Sequence, residues 1–346
     1  MRATGILQSL PASDRDCFVD FEMPDPEPTA RDLLVRVRAI SVNPVDTKVR
    51  AGLPGKLESP KVLGWDVAGT VEQAGADVSL FRPGDEVWYA GSITRPGCNS
   101  ELHLVDERIV GRKPTTLSWQ QAAALPLTGI TAWEALFDRL AIQPDEHAGR
   151  SLLIIGAAGG VGSIAVQLAT RVAGLDVIAT ASRDETVHWC MQMGSRYCIN
   201  HHHDLAQELE RIGVPEVDYI LCLNDTDRYF ATMAKVIRPQ GKICSIVGNR
   251  EPLNLDLLKN KSATFAWEFM FTRAMYETDD MQQQHRLLER LAGLVDEGVI
   301  RTTMTRSAGS LSADTLRAAH AEIESGTMIG KLVLSGYGPD GPDSSA

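Results

Sequence analysis

The amino-acid sequence predicts an α/β protein of two domains, on three observations. The chain has 346 residues, more than a single hydrophobic core ordinarily organises. Residues 1–110 read as short strands punctuated by proline and glycine. From residue 151 onward, apolar runs of strand length alternate with helix-length segments. That alternation belongs to a parallel sheet covered on both faces.

The elements follow in chain order. In "DLLVRVRAISV" (32–42), Leu34, Val35 and Val37 stand among arginines as in a half-buried strand, and "DVAGTVEQAG" (66–75) and "GDEVWYAG" (84–91) are further strands. Strands so spaced, with no long helix between them, suggest a small barrel or folded sheet. "SWQQAAALPLTGITAWEALFDRL" (118–140) reads as helix interrupted near Pro126. "SLLIIGA" (151–157) is a buried strand, and "VGSIAVQLATRVAG" (161–174) a helix that stops at Gly174. The strand "DVIATAS" (176–182), a helix over 183–194 and the strand "RYCIN" (196–200) continue the pattern. So do the strand "VDYILCL" (217–223), a helix over 227–241 and the strand "GKICSIVG" (241–248). A charged helix over 279–298, a strand near 300–307, a helix over 312–326 and a strand over 330–335 complete the order. The tail "GYGPDGPDSSA" (336–346) has a disordered composition.

Composition narrows the function. With 34 basic against 45 acidic residues, the net charge of −11 disfavours a nucleic-acid partner. No apolar stretch approaches the ~20 residues of a membrane span, and the N-terminus lacks a signal-peptide pattern; a cytoplasmic protein is expected. The six cysteines, Cys17, Cys98, Cys190, Cys198, Cys222 and Cys244, form no C-x-x-C pair, so neither a zinc ribbon nor a redox pair is expected. His201–His203 are adjacent, their side chains diverge, and no partner stands at ligand spacing, so no metal is expected there.

The chemistry-bearing feature is "LIIGAAGGVGSIAVQLA" (153–169). Gly156, Gly159 and Gly162 stand three apart, after a strand and at the mouth of a helix, the context of a dinucleotide-binding turn. Such a turn admits a pyrophosphate close to the backbone, facing the free N–H groups and positive dipole of a helix start. At the end of the next strand, "TASRDE" offers Ser182 and Arg183 where an NAD site usually carries an acid. A guanidinium and a hydroxyl suit a 2′-phosphate, hence NADP(H); Asp184, one residue on, is the argument for NAD.

Together the segments "DLLVRVRAISVNPVDTKVRAG", "LGWDVAGTV", "RPGDEVW", "AAALPLTGITAWEAL", "LLIIGAAGGVGSIAVQLA" and "GKLVL" resemble the medium-chain dehydrogenase/reductase superfamily. The nearest branch is that of quinone oxidoreductases and zinc-type alcohol dehydrogenase-like proteins. The resemblance implies a discontinuous GroES-like catalytic domain (1–126 and 266–346) and an inserted Rossmann-fold NADP(H)-binding domain (127–265). It implies backbone contacts to pyrophosphate from Ala158, Gly159, Gly160 and Val161, an adenosine-side role for His201, and main-chain lining by Leu223 and Gly248. Thr131, with Thr128 as a weaker candidate, falls beside the nicotinamide, although a helix-capping hydroxyl would look the same. Lys331 falls where it could neutralise cofactor phosphate, or be a surface lysine before an edge strand. The branch also implies a homodimer, through the strand near Ile243–Val247.

Where zinc alcohol dehydrogenases place ligands, this chain has Asn43, Trp65 and, near the third position, Leu127; these cannot assemble a tetrahedral zinc site. No zinc is therefore expected. Hydride addition to a quinone or an α,β-unsaturated carbonyl remains open, since the developing charge needs only hydrogen-bond donors and a proton. Asn43 and Asp46 are the polar candidates at the former ligand position, unless they only build the turn at Pro44. Trp65, Trp267 and Phe271 are candidates for the substrate pocket, or for an aromatic core. Two other readings stand beside this one: a zinc-dependent alcohol or aldehyde dehydrogenase with ligands outside the family pattern, and a non-catalytic NADPH-binding protein.

Overall fold

The computed structural model describes residues 1–337. Residues 338–346, most of the tail expected to be disordered, lie outside the described residues. The chain forms two compact units, Met1–Leu127 with Phe271–Ala346, and Thr128–Met270. It leaves the first unit once and returns, so residues distant in sequence share one core.

The first unit begins with β1 (Arg2–Ile6), β2 (Val19–Glu22), β3 (Asp32–Ser41) and β4 (Lys61–Val62). It continues with β5 (Val67–Ala74), β6 (Glu86–Tyr89), β7 (Leu102–Asp106) and β8 (Val110–Arg112). The second unit supplies β9 (Ser151–Ile155), β10 (Asp176–Thr180), β11 (Tyr197–Ile199), β12 (Val217–Cys222), β13 (Ile237–Ser245) and β14 (Thr264–Trp267). The chain then returns for β15 (Met304–Ser310) and β16 (Lys331–Ser335).

In the first unit β3 is the spine. Its ten residues pair antiparallel with β5, β7 and β16, within a sheet ordered β15-β16-β3-β5-β6-β8. Leu34, Val35 and Val37 are buried as expected, but so are Leu33, Ala39 and Ile40, so the alternation is only partial, and Arg38 alone of the ten is exposed. Pairing of Val333 with Ser41 sets the start of β16 beside the end of β3. A short helix, Pro44–Ala51, opens there, with proline at its first turn where the missing N–H is harmless.

In the second unit the strands are all parallel and ordered β11-β10-β9-β12-β13-β14. Counted from β9 this is 3-2-1-4-5-6, the doubly wound dinucleotide-binding order, whose direction reverses between β9 and β12. Leu153, Ile155, Ile178, Ile220 and Phe230 belong to its buried core.

Three boundaries differ from the sequence reading. The helix expected over 227–241 spans Thr226–Val236, and β13 begins at Ile237; Pro239 cannot continue a helix and disfavours helical geometry at Arg238. The helix after Gly159 is regular over Gly160–Gln167 and widens to a π turn over Leu168–Val172. The strand β14 was not read from the sequence, and it bears on the homodimer. Ile243–Val247 lies largely on β13, which is paired with β12 on one side and β14 on the other, so it has no free edge for a second copy.

The three glycines of the turn have different duties. Gly156 has φ +88°, the left-handed region that glycine enters without strain. A Cβ on Gly162 would meet the carbonyl carbon and Cα of Ala157 at 2.5 Å, so helix and turn pack only with hydrogen there. A Cβ on Gly159 would meet only the Gly156 oxygen, at 3.7 Å. Gly162→Ala is therefore expected to destabilise by about 2 kcal/mol through overpacking, and Gly159→Ala by less than about 0.5 kcal/mol. Thermal midpoints of the two variants check this; equal losses would contradict the assignment.

Candidate functional site

In the second unit the topology gathers the predicted cofactor residues at the carboxyl ends of the strands. Ala158, Gly159, Gly160 and Val161 follow β9, with Gly159 capping the helix. All four are partly exposed. The Gly156 N–H donates to Thr180 Oγ1 at 3.0 Å, which ties the turn to β10. The Leu223 N–H donates to the Ile155 carbonyl at 3.0 Å, which holds the end of β12 against the same turn. Leu223 Cβ and the Asn224 side chain are 3.5 Å from the space above Gly156. Gly248 follows β13 with open space around its Cα.

Ser182 and Arg183 follow β10, the arginine exposed at the cap of the helix Asp184–Met193 and 3.9 Å from Glu185. Asp184 is the first residue of that helix, where its charge suits the helix dipole. His201 follows β11; burial and the neighbouring His202 and Arg228 hold its imidazole below the usual range. Arg228, which the sequence reading did not single out, donates to the His201 carbonyl at 3.2 Å and adds a cation to this edge.

In the first unit, the structure joins Asn43, Asp46 and Lys331 to a fourth residue, Asp66. The Lys331 ammonium donates to the Val42 carbonyl at 2.9 Å and to Asn43 Oδ1 at 2.6 Å, and lies 3.4 Å from Asp66 Oδ2. Asn43 Nδ2 donates to Asp66 Oδ2 at 3.1 Å and to the Ser41 carbonyl at 3.3 Å. Asp66 Oδ1 accepts the Leu127 N–H at 3.1 Å. Asp46 Oδ2 accepts the Asn43 N–H at 2.8 Å, while its buried Oδ1 has no hydrogen-bond partner. Burial pushes Asp66 up to about 6 and Asp46 to about 7, and lowers Lys331.

This arrangement bears on two expectations. Lys331 is buried rather than a surface lysine, and its ammonium is engaged by oxygens inside the first unit. The Asn43 carboxamide is likewise engaged internally, with both Nδ2 hydrogens donated and Oδ1 accepting from Lys331.

The aromatic candidates divide between the two units. Trp65 and Phe271 are buried edge-to-face at 6.2 Å, and Trp65 Nε1 donates to the Ser92 carbonyl at 3.0 Å, which is core packing in the first unit. Trp267 belongs to the second unit, on β14, exposed and edge-on to Phe265 at 5.0 Å. Thr128 and Thr131 are buried on the helix Pro126–Trp133. All six cysteines are free thiols, and only Cys198 is more than marginally accessible. Among the described residues no three His, Cys, Asp or Glu side chains are placed to hold a metal ion.

A second buried charge cluster escaped the sequence reading. Glu268, just after β14, accepts from Arg139 Nε at 2.9 Å, and Arg139 lies 3.9 Å from Glu134. Both glutamates are buried. The available signal was charge inside apolar runs, "TAWEALF" and "FAWEFMF".

A GroES-like β unit and a doubly wound nucleotide-binding unit together define a class of oxidoreductase. Residues 29–126 match the alcohol dehydrogenase GroES-like domain family, and residues 193–334 the zinc-binding dehydrogenase family. A zinc-type alcohol dehydrogenase-like protein of Staphylococcus epidermidis is 44% identical over 97% of this chain and 99% of its own length. The crystal structure of a candidate zinc-dependent alcohol dehydrogenase from Rhizobium etli CFN 42 matches with TM-score 0.93 and 49% identity, covering 98% of each chain. Escherichia coli quinone oxidoreductase complexed with NADPH shares the fold at TM-score 0.82 and 24% identity, over 97% of this chain and 100% of that one. The chain belongs to the medium-chain dehydrogenase/reductase superfamily and is an oxidoreductase of its zinc-type alcohol dehydrogenase-like group.

The carboxyl pair makes a pH prediction. Burial first, and then the charge of Glu134, push Glu268 up to about 9 against an ordinary 4.5. The folded protein thus keeps a proton that the unfolded chain releases, and stability falls as pH rises from 4.5 to 9. Glu268→Gln, which mimics the protonated acid, is expected to flatten that fall. Thermal midpoints of both proteins from pH 5 to 9 test it; parallel curves would refute it.

Proposed function

We propose that this chain is an NADPH-dependent oxidoreductase that reduces quinones or α,β-unsaturated carbonyls by hydride transfer, without a catalytic zinc. The observation that carries the reading is the turn Gly156–Gly162 at the point where strand order reverses, with Arg183 exposed at the end of the next strand, as the cap that precedes Asp184. The residues fit a dinucleotide: Gly159 leaves room for a pyrophosphate oxygen, and the helix behind it supplies N–H donors. Arg183 and Ser182 suit the 2′-phosphate by bidentate charge-assisted bonding. The same fold holds NADPH in the Escherichia coli quinone oxidoreductase.

Reduced nicotinamide supplies a hydride when bound. The chain's own part is to fix the pyrophosphate and ribose and to offer donors to the acceptor's developing negative charge. Thr131, with Thr128 beside it, is our candidate for a hydroxyl at that end. Asp46 is assigned to holding the Asn43 backbone. Zinc does not fit: Asn43, Trp65 and Leu127 supply no ligand set, and both Asn43 and Asp66 are committed elsewhere. For the homodimer, the outer edge of β14, with Trp267 exposed, supports pairing with a second copy better than Ile243–Val247 does.

Two measurements test the reading. In binding titrations, Arg183→Ala is expected to weaken NADPH roughly 10- to 100-fold and NADH less than about 3-fold; equal losses would overturn the cofactor assignment. Turnover of NADPH with simple quinones and enals, unchanged by a chelator, is expected. A flat panel would favour a non-catalytic protein, and chelator-sensitive turnover a metalloenzyme.

A further inference from the structure

The relatives' names invoke zinc, yet the first unit already contains a buried cation. We propose that the Lys331 ammonium is the resident cation of this unit, occupying an oxygen-lined position that would otherwise attract a divalent ion. The proposal deepens the metal-free reading above and rests on it.

The lining is hard-oxygen chemistry. Val42 O and Asn43 Oδ1 accept from the ammonium, and Asp66 Oδ2 faces it at 3.4 Å. Lys331 and Asp66 also act electrostatically on Asp46, whose fully buried Oδ1 has no partner. A carboxylate, an amide oxygen and a carbonyl surround the ammonium, with the Asp46 carboxyl held by the Asn43 N–H close enough to feel its charge, and such oxygens are the donors that magnesium, manganese or calcium prefers. What keeps such an ion out is the lysine, which brings one positive charge on a covalent stem from the start of β16.

The arrangement also explains how two acids come to be buried side by side. An unpaired buried carboxylate is strongly destabilising, and pairing with hydrogen-bonded opposite charge is what makes its burial tolerable. With one ammonium for two carboxyls, Asp66 is the closer partner, and Asp46 relies on the Asn43 N–H.

Removing the lysine tests this. Lys331→Ala is expected to lower the thermal midpoint by roughly 10 °C. Millimolar Mn²⁺ should then raise the midpoint of the variant by several degrees while leaving wild type unchanged. The added substitutions Asp46→Asn and Asp66→Asn should abolish that rise. A Lys331→Ala protein as stable as wild type, or one indifferent to Mn²⁺, would overturn the proposal. Should Lys331→Ala fail to fold, the pair Lys331→Met and Lys331→Met/Asp66→Asn replaces it. Removing both charges should recover stability relative to Lys331→Met alone, and no recovery would be decisive against the idea. Stoichiometric metal in purified wild type, lost together with turnover on chelation, would instead defeat the metal-free reading, a result separate from the variant midpoints.

Discussion

The carboxylate of Asp66 ties the first unit together. One oxygen accepts the Leu127 N–H, at the residue where the chain leaves this unit. The other accepts from Asn43, at the start of the helix after β3, and faces Lys331, on the strand with which the chain completes its return. A single buried side chain therefore joins three segments, two before the second unit in sequence and one after it. Burying it without the ammonium would cost several kcal/mol, so the discontinuous unit and its ion pair depend on one another. The pairing of β16 with β3 delivers the lysine to that place, and the backbone ladder and the charge pair reinforce the same register.

The second unit depends on space rather than charge. Hydrogen at Gly162 lets the helix approach Ala157, and the approach aims the helix start outward from the carboxyl end of β9. Once β9 lies at the centre of a parallel sheet, its neighbours' carboxyl ends necessarily bring Ser182, Arg183, His201, Leu223 and Gly248 to the same edge. Residues as far apart in sequence as Ser182 and Gly248 converge because strand direction, not sequence spacing, decides where loops emerge.

That convergence explains what could be read from the chain alone. The glycine turn and the strand–helix alternation are local patterns, so they appear in the sequence. Asn43 and Asp46 stand out as polar residues around Pro44, but their partners do not. Nothing near Lys331 announces that Asp66, 265 positions earlier, faces its ammonium. A lysine opening a strand looks like a surface residue or an anion ligand, and only burial shows otherwise. Glu134 and Glu268 have the same history, each a lone charge in an apolar run whose meaning lies in Arg139 and in the other. The edge strand β14 escaped because four half-exposed residues carry no clear alternation.

The ion pair also bears on which acceptors the proposed chemistry suits. An ammonium held by Asp66, Asn43 and Val42 presents no spare donor to a substrate oxygen, and its charge is locally cancelled. Polarisation of a plain carbonyl would need a concentrated positive charge at that oxygen. Hydroxyls and backbone N–H groups are weaker electrophiles, adequate where negative charge spreads over a quinone ring or an enolate. On the proposed reading, an internally neutralised Lys331 leaves stabilisation of the acceptor to hydroxyls and backbone N–H groups, and that division of labour suits a delocalised acceptor.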